Sequence, residues 1–454
     1  MEYLLSALLL ALNLAAYQTG MNGILVLAVG AALFVALMLV TMKKTGSFPA
    51  ACLALFCHTW QISWMNIFGG STASLKLPWF YIIGVMMLGY AVLKFRSLLE
   101  KNNNGIILAT FVCFFVVMVV PELMSASKVE GAKEFIMIGF FAVLVFIAFL
   151  LSDTVDGRHR EYIEKVYIFN IVLTSVLLLF QSFYYKLTGH VIFKLTIGNY
   201  MGGKMHSAKL LMEDTSCSTI ALGCAVFLLL SGMNKHNWYR RIPCVLIVAA
   251  AMGVTSRRTS VVTLVVVLAA YMFVEYRGIL KRTAMVGVYV FVAGLMIFYL
   301  ATVRTIDDYS QLIYDNGRFE NYAAAWNIFI RHPFGIGYDN VYLQKQMGGI
   351  IPHNTLLRWL DMGGVWFALP LVIILGYILY KAYKKGFRAE FWLILYTLTA
   401  ANFIPDIFNA RFFVIPCMAV LLLKPNTVNR KTGSFHAHNK KSEGNTDNEK
   451  NIAV

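Results

Sequence analysis

The feature that most constrains this chain is a series of apolar runs separated by short polar segments. A helix needs about 20 mostly apolar residues, within a range of about 17–25, to cross the hydrocarbon core of a bilayer. Fourteen runs approach or reach that length. They cover residues 3–17, 24–42, 48–68, 78–94, 105–121, 135–151, 163–184, 216–232, 242–255, 260–275, 284–302, 362–380, 389–404 and 411–424. Because the runs are continuous and do not alternate, they predict helices and exclude a transmembrane β-barrel.

The composition agrees with a membrane protein. Apolar residues make up 59% of the chain and charged residues 14%, against about 45–50% and about 25% in ordinary soluble domains. The formal charge of +16 lies in gaps between apolar runs, which argues against nucleic acid as a partner and for the membrane surface. We therefore predict an all-α polytopic membrane protein with about 12–14 transmembrane helices.

The distribution of basic residues predicts the orientation. Most of the Lys and Arg residues fall in one set of alternate loops, and such loops usually face the cytoplasm. The opposite side then carries two long loops, 185–215 and 303–361. We expect residues 1–424 to form the transmembrane domain, including both loops. Residues 425–454 are polar and basic, and they predict a disordered cytoplasmic tail because they cannot bury enough apolar surface to fold.

Two adjacent arginines lie on the predicted outer side. Arg257 and Arg258 occupy the sequence TSRRTS between two apolar runs. An arginine near the centre of a membrane helix costs about 2.5–3.5 kcal/mol on insertion scales, so this pair must reach water or an anion. Guanidinium forks with neighbouring hydroxyls suit a diphosphate, which they can bind bidentately. The alternative is a cytoplasmic turn, with the number of spans wrong by one.

The loop 303–361 is long enough to contain an active site outside the hydrocarbon core of the membrane. Its segment 319–330 has helical periodicity and predicts a helix lying in the membrane interface. The aromatic residues on the predicted face are Phe319, Tyr322, Trp326 and Phe329. Arg318 precedes this helix and Pro333 follows it. Gly335 and Gly337 then allow a tight return of the chain.

His353 stands in the same loop, just before the chain returns to the membrane. Histidine can accept a proton from a hydroxyl near neutral pH, so His353 is a candidate general base. The alternative is a solvated histidine without a function. We interpret His190, His206 and His332 in that way. His58 lies within an apolar run near Gln61 and predicts a packed, hydrogen-bonded core residue.

Four segments in this order resemble the O-antigen polymerase and ligase family, the Wzy- and WaaL-type membrane glycosyltransferases. They are SRR at 256–258, GRFENYAAAW at 317–326, HPFGIGYDN at 332–340 and PHNTLLRWLDMGG at 352–364. The resemblance by motif covers about the last 200 residues, and the rest of the chain resembles the family only by hydropathy. Each short segment alone is common in proteins. The resemblance is specific because the four segments occur together in this order.

The resemblance implies a GT-C-like fold acting at the outer face of the bacterial cytoplasmic membrane. The donor would be a glycan linked to undecaprenyl diphosphate. By position, Arg257 or Arg258 would bind the diphosphate together with Arg318, and His353 would activate the acceptor hydroxyl. Arg411 is a weaker third cation. The expected reaction is an inverting glycosyl transfer, with no metal and no other cofactor predicted, since fixed cations can neutralise the leaving diphosphate.

Three functions remain open at this stage. We predict a polymerase, which uses lipid-linked repeat units as donor and acceptor and makes capsular, O-antigen or exopolysaccharide. A ligase would transfer the glycan to a terminal acceptor instead. A flippase for the same lipid-linked glycan would be expected to carry ionisable residues near the membrane midplane, where the predicted spans have few. A polymerase would have a flippase and a chain-length regulator as partners.

Overall fold

The computed structural model describes residues 1–21, 23–63, 65–69, 77–99, 105–200, 203–212, 215–232, 237–276, 279–304, 317–349 and 351–425. The predicted tail beyond residue 425, and parts of both long loops, lie outside the described residues. The described chain is almost entirely helical and contains a single β-hairpin in its described part. The all-α prediction is therefore confirmed.

The helices follow one another with short connections. In the first half of the chain they are α1 (Glu2–Thr19), α2 (Ile24–Thr45), α3 (Phe48–Thr59), α4 (Trp79–Leu99), α5 (Gly105–Val117), α6 (Val119–Met124), α7 (Lys128–Leu150) and α8 (His159–Thr188). In the second half they are α9 (Thr215–Ser231), α10 (Trp238–Val254), α11 (Arg258–Glu275), α12 (Ile279–Arg304), α13 (Arg318–Arg331), α14 (Asn340–Gln346), α15 (Thr355–Lys385), α16 (Arg388–Ala400) and α17 (Val414–Leu422). Strands β1 (Leu195–Tyr200) and β2 (Gly203–Ala208) form the hairpin.

Each of the fourteen predicted runs contains a helix or part of one. Seven helical segments are long and apolar enough to cross a membrane by length and composition. They are Ile24–Thr45, Gly105–Met124, Lys128–Leu150, His159–Thr188, Arg258–Glu275, Met285–Val303 and Thr355–Lys385. Four shorter apolar helices accompany them, at Phe48–Ile62, Trp79–Lys94, Thr215–Ser231 and Arg411–Leu422. The chain is a multi-pass membrane protein.

The third predicted run is only partly right, because its helix is shorter than the run. α3 continues as a 3-10 turn to Ile62 and then stops, although the apolar pattern continued to residue 68. Beyond Ile62 the backbone makes contacts outside the helix: the carbonyl of Ser63 accepts from Arg411, and Asn66 forms a β-bridge with Pro78. The chain then turns, and the amide of Ile67 donates to the carbonyl of Leu77 over 3.0 Å.

Helices that are apolar on every face lie at the centre of the bundle. Nearly all residues of α3, α9 and α17 are buried, as expected for helices without a polar face. His58 on α3 is packed in this interior, with its Nδ1 3.3 Å from the amide nitrogen of Asn170 on α8. The prediction of a packed core histidine is therefore confirmed.

At one end of the bundle, ion pairs join helices that are distant in sequence. The pairs are Lys44 with Glu2, Arg160 with Glu390 at 2.6 Å, Lys385 with Asp153 at 2.7 Å and Arg388 with Glu275 at 3.2 Å. All of these cations belong to the loops that the sequence assigned to the cytoplasm. We call this end the ion-paired end.

The β-hairpin belongs to the other set of connections and follows α8. Its strands are antiparallel, with Leu195 opposite Ala208. The expectation that His206 is solvated is wrong, because its ring is buried with Nε2 2.8 Å from the hydroxyl of Ser182. The strand lies against α8 and turns this side chain towards the helix, which a short polar stretch of sequence does not reveal.

Candidate functional site

The predicted helix of the long loop is present as α13, and Tyr322 connects it to the rest of the site. The Tyr322 hydroxyl lies 3.0 Å from the carbonyl oxygen of His353 and 2.8 Å from that of Asn402. Burial raises the pKa of this hydroxyl, against the lowering effect of the Arg318 charge. It therefore keeps the proton that it shares between the two carbonyls, and α13 is held beside His353.

Arg318 begins α13 and faces the same segment. Its guanidinium carbon lies 6.0 Å from the centre of the Phe403 ring, which is within the range of a cation–π contact. Gly317, at φ 71°, precedes it and turns the chain into the helix. Arg318 is half-buried and lies beside the segment that also receives Tyr322. The structure therefore brings Arg318 and His353 to one place.

The apolar face of α13 differs in part from the predicted one. Tyr322 and Phe329 are partly buried against the protein. The most exposed large apolar side chains on α13 are Phe319 at 74%, Ile330 at 60% and Trp326 at 49%. The exposed stripe is rotated from the predicted face because α13 packs against α15 and turns Tyr322 inwards.

The loop after α13 makes the tight return that its glycines predicted. Gly335 and Gly337 have φ values of +88° and +95°, in the region that favours glycine. A Cβ at Gly335 would lie 2.2 Å from the carbonyl oxygen of Met362, and one at Gly337 would lie 2.7 Å from the amide nitrogen of Ser125. The loop is therefore held between α15 on one side and the end of α6 on the other, and no larger residue fits at either glycine.

His353 is oriented by the backbone next to it. Its Nδ1 lies 3.1 Å from the carbonyl oxygen of Ile351. A carbonyl can only accept a hydrogen bond, so in the neutral ring the proton is on Nδ1 and Nε2 is the basic nitrogen. Asn354 then caps α15, because its side-chain oxygen accepts from the amide of Leu357 over 3.1 Å. The half-buried His353 side chain thus stands at the start of a membrane helix.

The paired arginines form the turn between α10 and α11. Ser256 has φ +57°, which is uncommon for a residue other than glycine and turns the chain sharply. The Arg257 side chain is exposed and its Nε donates to the hydroxyl of Thr215. Arg258 is only 8% exposed, in the first turn of α11. Of the two, Arg257 is the one that an external anion can reach.

Contacts along α11 and α16 show that this turn lies at the end opposite the ion pairs. Near the start of α11, the carbonyl of Ser260 accepts from the hydroxyl of Tyr396 over 3.1 Å. At the other end of α11, Glu275 pairs with Arg388. α16 therefore runs from the ion-paired end to the 401–403 turn that contacts Tyr322 and Arg318. The turn therefore lies at the end opposite the loops that the sequence predicts to be cytoplasmic.

The hairpin is attached to the same turn. The hydroxyl of Ser207 on β2 donates to the carbonyl of Thr255, just before the arginine pair. The turn with the two arginines, the hairpin, α13 and His353 consequently share one end of the bundle, which we call the polar end.

Arg411, the third predicted cation, is enclosed by protein. It is 8% exposed, and its guanidinium donates to the carbonyl of Ser63. The guanidinium carbon also lies 5.0 Å from the ring centre of Tyr81 and 5.6 Å from that of Phe80. These contacts stabilise the positive charge where it is, so Arg411 is less suited to a diphosphate than Arg257 or Arg318.

The sequence analysis missed a buried arginine within one of its own motifs. Arg358, in the segment PHNTLLRWLDMGG, is 1% exposed. Its guanidinium lies 3.1 Å from a carboxylate oxygen of Asp406 and 3.0 Å from one of Glu134. The available signal was an arginine in a largely apolar helix, which needs a partner when it is buried.

The fold and these contacts define a polytopic helical membrane protein with a cationic polar site at one end of its bundle. Residues 243–372 match the family model described as O-antigen ligase, so this part of the chain is similar to that family. The match extends from α10 into α15 and includes Arg257, Arg318 and His353, whereas Arg411 lies outside it. The resemblance found in the sequence is thereby confirmed.

No curated protein matches the chain. The family match links the chain to the synthesis of O-antigen and related polysaccharides, through a membrane glycosyltransferase-like activity. It also implies lipid-linked glycans as substrates.

Proposed function

We propose that the protein polymerises oligosaccharide repeat units carried on undecaprenyl diphosphate. The observation that carries this proposal is the Tyr322 hydroxyl, within hydrogen-bond distance of the carbonyls of His353 and Asn402. That contact supports a site in which a candidate anion ligand, Arg318, and a candidate base, His353, act on the same substrate. The flippase alternative requires no such pairing.

Arg257 and Arg318 bind the diphosphate of the donor in this proposal. Both are accessible to an anion at the polar end, since Arg257 is exposed and Arg318 is partly exposed. As the sugar–phosphate bond breaks, negative charge grows on the departing lipid diphosphate, and fixed guanidinium groups stabilise that charge most in the transition state. Arg258 is buried next to Arg257 and adds positive charge there, and Arg411 is the weaker third cation, enclosed by protein.

His353 accepts the proton of the acceptor hydroxyl through Nε2. The hydroxyl oxygen attacks the anomeric carbon of the donor and forms the new glycosidic bond as the bond to the diphosphate oxygen breaks. The electron pair of that bond leaves with the lipid diphosphate. Attack opposite the leaving group inverts the anomeric configuration. The hydrogen bond from Nδ1 to Ile351 favours this role because it makes Nε2 the basic nitrogen.

We place the polar end at the outer face of a bacterial cytoplasmic membrane, with residues 1–424 as the transmembrane domain and 425–454 as a cytoplasmic tail. The exposed stripe of Phe319, Trp326 and Ile330 supports this, since such side chains suit the membrane interface. The donor and the acceptor, both carried on lipid, would then reach the site from the membrane. A flippase and a chain-length regulator are the partners that such a polymerase requires.

A ligase is the second candidate, and the description of the matched family favours it. Polymerase and ligase would share the arginines and the histidine, because both release the same lipid diphosphate. They differ in the acceptor, which is another lipid-linked repeat unit for the polymerase and a terminal acceptor for the ligase.

Reconstitution of the full chain in liposomes tests the proposal. The protein is given a lipid-linked repeat unit in the presence of EDTA, and the products are analysed for length and for released lipid diphosphate. A ladder of lengths that persists in EDTA supports a polymerase. Transfer of a single block, seen only when a terminal acceptor is added, would indicate a ligase. Movement of the lipid-linked glycan between leaflets without release of diphosphate would contradict both.

A further inference from the structure

Arg358 is the centre of a buried polar network that joins four segments of the chain. It lies on α15 and contacts Glu134 on α7 and Asp406 before α17. It also donates to the side-chain oxygen of Asn340 on α14 over 2.8 Å. Asn340 in turn donates to Glu134. The network thus closes on itself around one guanidinium.

The same network reaches the segment that carries His353. Arg358 lies five residues after His353, in the second turn of α15. In the first turn, the hydroxyl of Thr355 donates to the carbonyl of Ile404 over 3.1 Å. Asp406 follows Ile404 closely, and its Oδ1 accepts from the amide of Phe408 over 2.8 Å. Arg358 and Thr355 therefore tie the start of α15 to the segment after α16 at two points.

That segment also receives the contacts of α13, since Asn402 lies against Tyr322 and Phe403 lies beneath Arg318. Displacement of the 402–406 segment would consequently move the supports of Arg318 and His353 together. Asp406, held by Arg358, is the charged residue that fixes this segment to α15.

The charges explain how this network can fix the relative positions of the segments that it joins. Two carboxylates share one guanidinium, and Asp406 and Arg358 are almost completely buried. Buried ion pairs often add little to stability, because desolvation offsets their attraction, yet their directional bonds can specify one arrangement. Arginine presents a planar fork that can meet several acceptors at once, which the ammonium group of a lysine cannot reproduce.

We propose that Arg358 is a positioning residue, which holds the His353 segment and the 402–406 segment in the relation that glycosyl transfer requires. This inference rests on the proposed function, because Arg358 can affect glycosyl transfer only if the protein catalyses that reaction. Arg358 need not touch the substrate, because its action passes through Asp406 and the start of α15.

The test uses conservative variants of the full chain, since loss of the arginine altogether could prevent folding. In Arg358→Lys and Asp406→Asn, turnover should fall by about tenfold to hundredfold, as small displacements of reacting groups can cause. The KM for the lipid-linked donor should change much less than turnover, because Arg257 is not displaced and Arg318 acts mainly on charge that develops in the transition state. The double variant should lose little more than the worse single variant, since both act in one network.

Arg160→Lys is the matched control. It alters another ion pair of an arginine with a buried glutamate, Glu390, but at the ion-paired end. The loss of turnover in Arg358→Lys is expected to depend on the location of Arg358 beside the candidate site. Turnover of Arg160→Lys should therefore stay within about twofold of that of the unchanged protein. Wild-type turnover in Arg358→Lys, or an equal loss in Arg160→Lys, would overturn the proposal.

Hydrogen exchange separates this inference from the proposed function. Amides of residues 354–360 and 401–408 should exchange faster in Arg358→Lys than in Arg160→Lys. Unchanged exchange in those segments would overturn the positioning role whatever the turnover. If the unchanged protein transfers no glycan, the proposed function fails, and the exchange data still decide whether Arg358 holds the two segments together.

Discussion

The two ends of the helical bundle use their basic residues in different ways. At the ion-paired end, cations meet carboxylates, as Arg160 meets Glu390 and Lys385 meets Asp153. At the polar end, Arg257 contacts a hydroxyl and Arg318 an aromatic ring. A cation matched by a carboxylate is neutralised within the fold, whereas one held by neutral groups keeps its charge for an external anion.

Among the arginines of the polar end, Arg358 is the informative exception, because it is matched by two carboxylates. It therefore resembles the arginines of the ion-paired end in chemistry and those of the site in location. This combination suits a residue that shapes the site without binding the diphosphate.

Removal of the proposed base should have the largest effect at the polar end. His353→Ala should lower turnover by about a thousandfold, within the usual range for loss of a general base. Turnover is measured in liposomes with the lipid-linked repeat unit, and insertion is checked by yield and melting temperature. His332→Ala is the control, since that exposed histidine has no proposed role. Normal product length in His353→Ala would remove the assignment.

Removal of either accessible arginine should have the next largest effect. Arg318→Ala and Arg257→Ala should each lower turnover by about a hundredfold, the cost of losing a group that stabilises transition-state charge. Lysine at either position should recover part of the loss, because it restores the charge but not the fork. Lys44→Ala, at the ion-paired end, serves as control. An equal loss of turnover in Lys44→Ala and Arg318→Ala would contradict the proposed difference between the two ends.

At the ion-paired end, substitution should change stability and leave turnover nearly intact. Arg160→Met would leave Glu390 and Glu164 without their shared guanidinium. The pair is only partly buried, so the cost should stay below about 3–5 kcal/mol, which is the cost of breaking a fully buried pair. The melting temperature should fall accordingly, while turnover at low temperature should stay close to normal. A triple variant with Glu164→Gln and Glu390→Gln should recover much of the stability, because no buried charge is left alone. Equal destabilisation of both variants would contradict this explanation.

Much of the fold could be predicted because hydrophobicity is a local property. Runs of about 20 apolar residues have few alternatives to a helix in a bilayer, and every run contains a helix or part of one. The errors lie where tertiary contacts decide. α3 ends shortly before Asn66 and Ile67 pair with the segment that precedes α4, and His206 is buried because a strand lies against α8. Neither contact has a signal in the neighbouring sequence.

The site was predicted less completely, for a similar reason. Arg257 and Arg318 stood out because cations on the predicted outer side oppose the usual charge bias, and His353 because a histidine can accept a proton near neutral pH. Arg358 did not, because its partners Glu134 and Asp406 are 224 and 48 residues away in sequence. The rotation of the exposed stripe on α13 was also hidden, since it depends on the packing of Tyr322. Which residues touch across the bundle is a property of the fold.

The smallest predicted effect concerns acid and the hairpin at the polar end. Burial, with a contribution from Lys186, lowers the pKa of His206 from its ordinary value near 6.5 to about 4. Between these values the unfolded chain takes up a proton that the folded hairpin does not, so stability should fall as the pH drops from 6.5 towards 4. Amide exchange in residues 195–208 should accelerate over that interval. His206→Gln can keep a hydrogen bond to Ser182 but does not titrate, so its exchange should respond less to acid. An identical response in both proteins would show that the acid sensitivity arises elsewhere.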